Sequence, residues 1–303
     1  MQNRTEFDVL IIGGSYAGLS AAMALGRSLR NVLILDSGKP CNRQTPHSHN
    51  FLTQDGETPA AIAQKAREQV LAYPTVSFQS EKAIKASGQN KAFEVITDTG
   101  NSYTGSKLLF ATGVADKMPP IKGFAESWGI SALHCPYCHG YEVHHQPLGI
   151  LADGDMAFEF VKLILNWSPN LTLLTNGKSN LKPEQRQVLQ QHGVSLVEKE
   201  VHELVHQKGY LQQVEFSDGS SLPLTALFAR LPFTQHCPIP EQLGCELTEA
   251  GLLKIDGFQQ TSVLGIYAAG DATSPMRAVS NSVASGTFAG AALNKALIEE
   301  RFK

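Results

Sequence analysis

An α/β fold in two domains is what the sequence predicts, and three observations carry it. The 303 residues exceed what one hydrophobic core usually holds. A strand–turn–helix–strand pattern opens the chain at 7–36 and a second one occupies 148–175. Such alternation builds a parallel sheet with helices packed on it.

The first pattern reads "FDVLIIGGSYAGLSAAMALGRSLRNVLILD". Phe7–Ile12 is a short apolar run with β-branched residues, fit for a strand buried on both faces. Leu19, Ala22, Met23 and Leu25 recur at helical spacing, and Val32–Leu35 is the next strand. The intervening turn is Gly13-Gly14-Ser15-Tyr16-Ala17-Gly18. A dinucleotide turn needs glycine for the bend, for close approach of the pyrophosphate and for helix–strand packing. Gly13 and Gly18 fill the first and third roles, while Ser15 stands where the second glycine is usual. Asp36 ends the second strand, where a carboxylate can bind ribose hydroxyls. A glycine-rich packing turn with a surface Asp is the bland alternative.

Two further stretches punctuate the chain. "LLFATG" (108–113) reads as a buried strand ending in the turn Ala111-Thr112-Gly113. "GIYAAGDAT" (265–273) reads as a strand, Ile266–Ala269, ending in Gly270-Asp271, with a small-residue helix from about Ser280 to Ile298 beyond it. Asp271 alone would serve equally as a helix N-cap.

Bulk properties exclude several classes. The net charge of -3 and the lack of a basic run give no reason to expect nucleic acid. No stretch approaches the roughly 20 apolar residues of a membrane span, and "MQNRTEFDVLIIGG" does not read as a signal peptide. A cytoplasmic location is therefore expected. The five cysteines are odd in number in a long chain, which argues against a secreted disulfide framework. Cys41, Cys237 and Cys245 lack close cysteine partners and read as buried small apolar residues.

Cys135 and Cys138 are different. They lie in "HCPYCHGYEVHH" (134–145), where the spacing lets one helical turn close a disulfide. A helix N-terminus would lower the first thiol's pKa. His139 follows and titrates near neutrality, suiting it to move thiol protons. Glu142 is a second proton carrier or a partner orienting His139. Zinc held by Cys135, Cys138 and two of His134, His139, His144 and His145 is the competing reading, with poor reach around one metal. His144 and His145 read as solvent-facing, and His47 and His49 as belonging to the loop after the Asp36 strand.

Together the N-terminal glycine turn, Ala111-Thr112-Gly113 and Gly270-Asp271 resemble the frame of two-domain FAD-dependent oxidoreductases. With Cys135 and Cys138 before "PLGILAD", the whole chain resembles the thioredoxin reductase-like pyridine nucleotide-disulfide oxidoreductases. "CPYCHGYE" is similar to a subgroup related to gliotoxin-type dithiol oxidases. The resemblance implies two Rossmann-like, three-layer ββα domains. The FAD-binding domain would comprise 1–117 and 246–303, interrupted by an NAD(P)H-binding-like domain at 118–245 that carries the cysteine pair. It implies FAD contacts from Gly13, Gly14, Ser15, Ala17, Gly18, Asp36, Ala111, Thr112, Gly113, Gly270, Asp271 and Ala278. Asp36 would meet the adenosine ribose and Asp271 the ribityl chain. Cys138 would face the flavin and Cys135 the substrate, with His139 where ordinary members carry an acidic residue. His47 and His49 fall in a region that approaches the cofactor in related flavoproteins. A homodimer is implied as well.

The second nucleotide turn departs from the family. In "LGILADGDMAFEFVKLIL", Ala152 replaces the first glycine, and Asp153 and Asp155 put carboxylates where a pyrophosphate would sit. They satisfy the helix dipole themselves and repel phosphate. "TNGKSNLK" offers Lys178 and Lys182 but no arginine before Arg186 to grip a 2′-phosphate. NADPH is therefore a doubtful cofactor. The expectation is an FAD-dependent thiol–disulfide oxidoreductase working through Cys135 and Cys138 on a small dithiol or a thioredoxin-like protein. In the oxidative direction O2 accepts the electrons; in the reductive one a donor such as ferredoxin or another flavin supplies them. An ordinary NADPH-dependent thioredoxin-disulfide reductase is the alternative, and a non-catalytic flavin redox sensor a further one.

Overall fold

The computed structural model describes residues 6–302. They form two compact units. The first takes the described residues through Arg43, Phe51–Ala115 and Phe233 onward. The second takes Gln44–Asn50 and Asp116–Pro232.

In chain order, the elements begin with β1 (Glu6–Ile12), α1 (Tyr16–Arg27), β2 (Val32–Leu35), α2 (Pro59–Leu71) and β3 (Val76–Gln79). Next come β4 (Ala83–Gln89), β5 (Ala92–Thr97), β6 (Ser102–Phe110) and β7 (Val114–Asp116). The second unit adds α3 (Phe124–Ser127), β8 (Ala132–Leu133), α4 (Pro136–His139), β9 (Leu148–Leu151), α5 (Gly154–Ile164) and β10 (Leu171–Leu174). It continues with α6 (Pro183–Gln191), β11 (Ser195–Val197), β12 (Val201–Gln207), β13 (Tyr210–Phe216), β14 (Ser221–Pro223) and β15 (Ala226–Ala229). The chain then returns to the first unit with β16 (Phe233–Gln235), α7 (Ile239–Gln242), β17 (Ile266–Ala268), a 3₁₀ turn at Gly270–Ala272 and α8 (Val279–Glu299).

The first unit is built on a seven-stranded sheet ordered β3-β2-β1-β6-β5-β4, with β17 also paired to β6. The strands β3, β2, β1, β6 and β17 run parallel, whereas β4 and β5 are antiparallel. Both β5 and β17 fit along β6 because β5 pairs with Ser102–Gly105 and β17 with Leu108–Phe110. Alternation along β1 splits its side chains between two cores. Val9 and Ile11 pack with Leu19, Ala22 and Leu25 of α1 and Ala289 and Leu293 of α8. Leu10 and Ile12 pack on the other face with Phe93, Val95, Phe110 and Ile239.

Small residues let α1 and α8 approach closely. A Cβ on Gly286 would lie 2.1 Å from the Ala17 carbonyl oxygen, and one on Gly290 2.7 Å from that of Ala21. Ser20 fastens the pair by donating to the Val283 carbonyl at 2.8 Å. On β6, Lys107 is 1% exposed. Its ammonium donates to Asn90 Oδ1 and Glu300 Oε1, each at 2.5 Å, the arrangement a buried cation requires.

The second unit has a five-stranded parallel sheet, β11-β10-β9-β15-β8, and a three-stranded antiparallel sheet, β12-β13-β14. Ala157, Phe160, Val161 and Ile164 of α5 cover one face of the parallel sheet through Leu148, Ile150 and Leu173. Leu204, Val214 and Phe216 of the antiparallel sheet cover Leu174 and Leu227 on the other. Both units are thus three-layer ββα assemblies, the fold class expected. Among the described residues, no helix is long and apolar enough to cross a membrane.

Candidate active site

In the first unit the glycine turn sits between the end of β1 and the start of α1. Gly13 has φ +106°, and a Cβ there would lie 2.2 Å from the Ala111 carbonyl oxygen. Gly18 is tighter still, 1.8 Å from the Gly13 carbonyl. Glycine is therefore required at both positions, by close approach and, at Gly13, by dihedral angle. Ser15 occupies the N-cap of α1 without a side-chain cap bond, and the first turn carries no acidic residue. The N–H groups that open this helix are left to attract an anion. The Asp36 carboxylate accepts from the Gly14 N–H at 2.5 Å and from the Gly38 N–H at 2.6 Å, which fixes it beside the turn. Thr112 Oγ1 is buried with no hydrogen-bond partner among the described residues, although a hydroxyl in that position ordinarily finds one.

Asp271 lies in the 3₁₀ turn, and Ala278 is the N-cap of α8, so Asp271 is not that helix's cap. Its carboxylate accepts from Ser282 Oγ at 3.2 Å and lies 3.9 Å from Arg277 Nε. Arg277 went unnoticed in the sequence, where nothing but its closeness to Asp271 marks it. The glycine cradle, the orphaned Thr112 hydroxyl and the uncapped α1 fit a dinucleotide such as FAD. Gly13, Gly14, Ser15, Ala17, Gly18, Asp36, Ala111, Thr112, Gly113, Gly270, Asp271 and Ala278 are the residues that would hold it.

In the second unit, Pro136–His139 forms one helical turn, with Pro136 at its first position and Cys135 as N-cap. Cys138 donates its thiol proton toward Cys135 Sγ at 2.8 Å, so the two sulfurs lie within reach of a disulfide. The Cys135 pKa is lowered to about 7. The Cys138 thiol is the main cause, and the N–H groups of Cys138 and Tyr137 assist against burial, which raises it. A single turn has little dipole, and the neighbouring thiol does most of what the sequence reading assigned to a helix end. Gly140 is needed here, because a Cβ would lie 2.5 Å from the Pro136 carbonyl oxygen and 2.7 Å from the Trp167 ring. Tyr137, between the cysteines, is exposed and meets Trp167 edge-on.

His139 has its pKa lowered to about 4, first by burial and then by the nearby His49. Glu142 pairs with His49, Oε1 to Nε2 at 3.5 Å. No local pattern marks that pairing, since 93 residues separate the two. His49 joins the second unit because Gln44 donates to the Ala125 and Trp128 carbonyls at 3.2 and 3.1 Å. His144 and His145 are exposed, with His144 stacked on Tyr141. Among the described residues, no three His, Cys, Asp or Glu side chains converge as a metal cage. Cys237 and Cys245 are buried, but Cys41 is exposed, contrary to expectation, because it lies in the turn that follows β2 rather than in a core element.

The turn before α5 is occupied by its own protein. Asp153 accepts from the Asn180 N–H at 2.9 Å, from Asn180 Nδ2 at 2.5 Å and from Ser179 Oγ at 3.3 Å. Burial pushes its pKa up, but these donors prevail and lower it. Asp155 pairs with Lys182 at 3.0 Å and accepts from Gln185 at 2.8 Å. The two carboxylates sit at the N-cap and in the first turn of α5, as expected, and also bond across to the 179–185 segment. Arg186 is likewise engaged, by Glu198 at 2.7 Å. These residues do not fit a phosphate: the anion sites hold carboxylates, and Lys182 and Arg186 already face anions.

Comparison with known proteins agrees with this layout. Residues 7–286 match the family model described as pyridine nucleotide-disulphide oxidoreductase. "Thioredoxin reductase tcpT" of Claviceps purpurea is 34% identical, over 96% of this chain and 94% of that protein. "Thioredoxin reductase sirT" of Leptosphaeria maculans is 32% identical, over 95% and 93%. The crystal structure of an oxidoreductase from Agrobacterium tumefaciens superposes with a TM-score of 0.91 at 37% identity, covering 97% of this chain and 99% of that one. The chain belongs to the pyridine nucleotide-disulphide oxidoreductase family, as an FAD-dependent oxidoreductase acting on thiol and disulfide groups.

Proposed function

We propose that the protein oxidises a dithiol to a disulfide through Cys135 and Cys138, with no nicotinamide nucleotide as electron donor. One observation carries the reading: Asp153 and Asp155 fill the second nucleotide turn and are bonded to the segment that would receive the rest of the cofactor.

The substrate is a small dithiol or a dithiol on a thioredoxin-like protein. Its first thiol gives a proton to the neutral His139. The thiolate attacks Cys135 Sγ, a substrate–Cys135 bond forms, the Cys135–Cys138 bond breaks, and Cys138 leaves as a thiolate. The second substrate thiol loses its proton, attacks the first substrate sulfur and expels Cys135. The substrate has then lost two electrons and two protons, and the cysteine pair holds the electrons. A Cys135 pKa near 7 suits this, because a stabilised thiolate is a good leaving group. FAD, when bound, supplies the acceptor for that electron pair, with O2 leaving as hydrogen peroxide.

The test is aerobic turnover. The holoenzyme with a small dithiol and no nucleotide is expected to consume O2 and release one peroxide per disulfide over many cycles. A single reduction without cycling would favour a redox sensor. The relatives' printed names favour a second reading, thioredoxin-disulfide reduction, which would show as nucleotide-dependent turnover with an oxidised thioredoxin.

A further inference from the structure

The place of the Asp271 carboxylate is set by whatever holds its 3₁₀ turn. On the α8 side, the Gly270 N–H donates to Ser285 Oγ at 3.0 Å. On the other side, the Ala272 carbonyl accepts from the Leu253 N–H at 2.8 Å and from Gln235 Nε2 at 3.1 Å. The same amide nitrogen donates to the Gly251 carbonyl at 2.9 Å. The strand β16 delivers this side chain. It pairs with β7, and the N–H of the next residue, His236, donates to the Gly113 carbonyl at 3.2 Å. Strand alternation puts Gln235 on the side of Phe233, whose ring would lie 3.9 Å from a Cβ on Gly251, and the exposed Thr234 on the other. Gln235 therefore stands between the turn after β6 and the turn after β17, both assigned to FAD.

Two carbonyl acceptors fix which end of the amide is nitrogen, so the oxygen is the end left over. Gln235 Oε1 is buried and has no hydrogen-bond partner among the described residues. A buried orphan oxygen is costly, and an apolar side chain of similar size would avoid it. What glutamine contributes here is its pair of N–H donors. We propose that Gln235 is a positioning residue for FAD, acting through the Ala272 carbonyl to hold the turn that presents Asp271. Its role rests on the assignment of Asp271 to FAD and holds in either direction of electron flow.

The experiment measures how tightly the holoenzyme keeps its FAD. Each protein is diluted through a concentration series, free FAD is separated by ultrafiltration and read by its fluorescence, and far-ultraviolet circular dichroism checks the fold at the same temperature. Gln235→Met keeps the length and removes both donors. Its FAD dissociation constant is expected about tenfold above wild type, the size of leaving a buried carbonyl without its donor. Gln235→Glu turns a carboxylate toward two carbonyl oxygens and should weaken FAD further. Thr234→Ala should match wild type. In an Asp271→Asn background, adding Gln235→Met should cost less than about threefold, because both changes act on one contact. A folded Gln235→Met protein that binds FAD as wild type does overturns the positioning role, even with a lower Tm, which is all that a merely structural side chain would change. Full additivity of Gln235→Met and Asp271→Asn overturns it as well. If Gln235→Met does not fold, Gln235→Asn, too short to reach both carbonyls, takes its place with the same expectation. An Asp271→Asn protein that holds FAD as tightly as wild type overturns the assignment of the turn, and the role of Gln235 with it.

Discussion

Replacing Cys138 with serine is expected to abolish dithiol-driven reduction while leaving the protein yellow. A serine oxygen cannot share a disulfide with Cys135, so the exchange loses its acceptor outright. The residues assigned to FAD lie in the first unit, whereas Cys138 lies in the second, so cofactor content should stay within error of wild type. Cys135 should then be a stranded thiol, still met by the N–H groups of residues 137 and 138 but without the Cys138 thiol that lowers its pKa most. The exposed Cys41 would obscure the count, so the measurement uses a Cys41→Ser background. An aromatic disulfide reagent should label one fast thiol in that Cys138→Ser protein, and mass spectrometry should find the mixed disulfide on Cys135. Retained dithiol turnover in Cys138→Ser would sink the role of the pair.

Gly286→Val is the most damaging single change expected outside the redox segment. A Cβ at 286 falls 2.1 Å from the Ala17 carbonyl oxygen, and this is backbone that cannot swing aside. The helices must separate, which strips contacts from Ala17, Ala21 and Ala289 and displaces the start of α1 beside the glycine turn. Overpacking at a helix crossing costs about 3 kcal/mol, or roughly 5 °C in Tm for a chain of this size. FAD should be lost with it, because the N–H groups that open α1 move. Gly257→Ala is the control, with nothing within 4 Å of its built Cβ and no positive φ. It should stay within about 0.5 kcal/mol of wild type. Equal Tm values by calorimetry for wild type and Gly286→Val would contradict the packing described for α1 and α8.

The readable part of the molecule is the part set by local pattern. Phe7–Ile12, Val32–Leu35 and Leu148–Leu151 are apolar runs beside glycine or acidic turns, and each is a strand within a residue of where periodicity puts it. The closeness of Cys135 and Cys138 was legible from their spacing, whereas the burial that takes His139 away from near-neutral titration was not. What stayed hidden depends on long-range closure. The sheet β12-β13-β14 has mixed strands such as "VHELVHQ", whose half-buried faces follow from Leu174 and Leu227 lying beneath them. The pairing of His49 with Glu142 depends on Gln44 binding α3 and its C-terminal end, a contact no motif encodes. The sequence shows Asp153 and Asp155 at the second turn but not their bonds to Asn180, Lys182 and Gln185. The hydrogen bonds that hold Asp153 cross 26 to 27 residues of chain, and only the folded unit brings the groups together. Cys41 misled because cysteine composition reports an average burial and not the loop in which one residue falls.

In the proposed reaction electrons enter from thiols and not from a nicotinamide. This is tested most directly by titrating the oxidised holoenzyme anaerobically with NADPH, then NADH, then dithiothreitol, and following flavin absorbance near ~450 nm. No bleaching by stoichiometric amounts of either nucleotide is expected, followed by full bleaching by the dithiol. Rapid, stoichiometric bleaching by NADPH would contradict that reaction, and would mean that Asp153 and Asp155 release the 179–185 segment to admit the nucleotide.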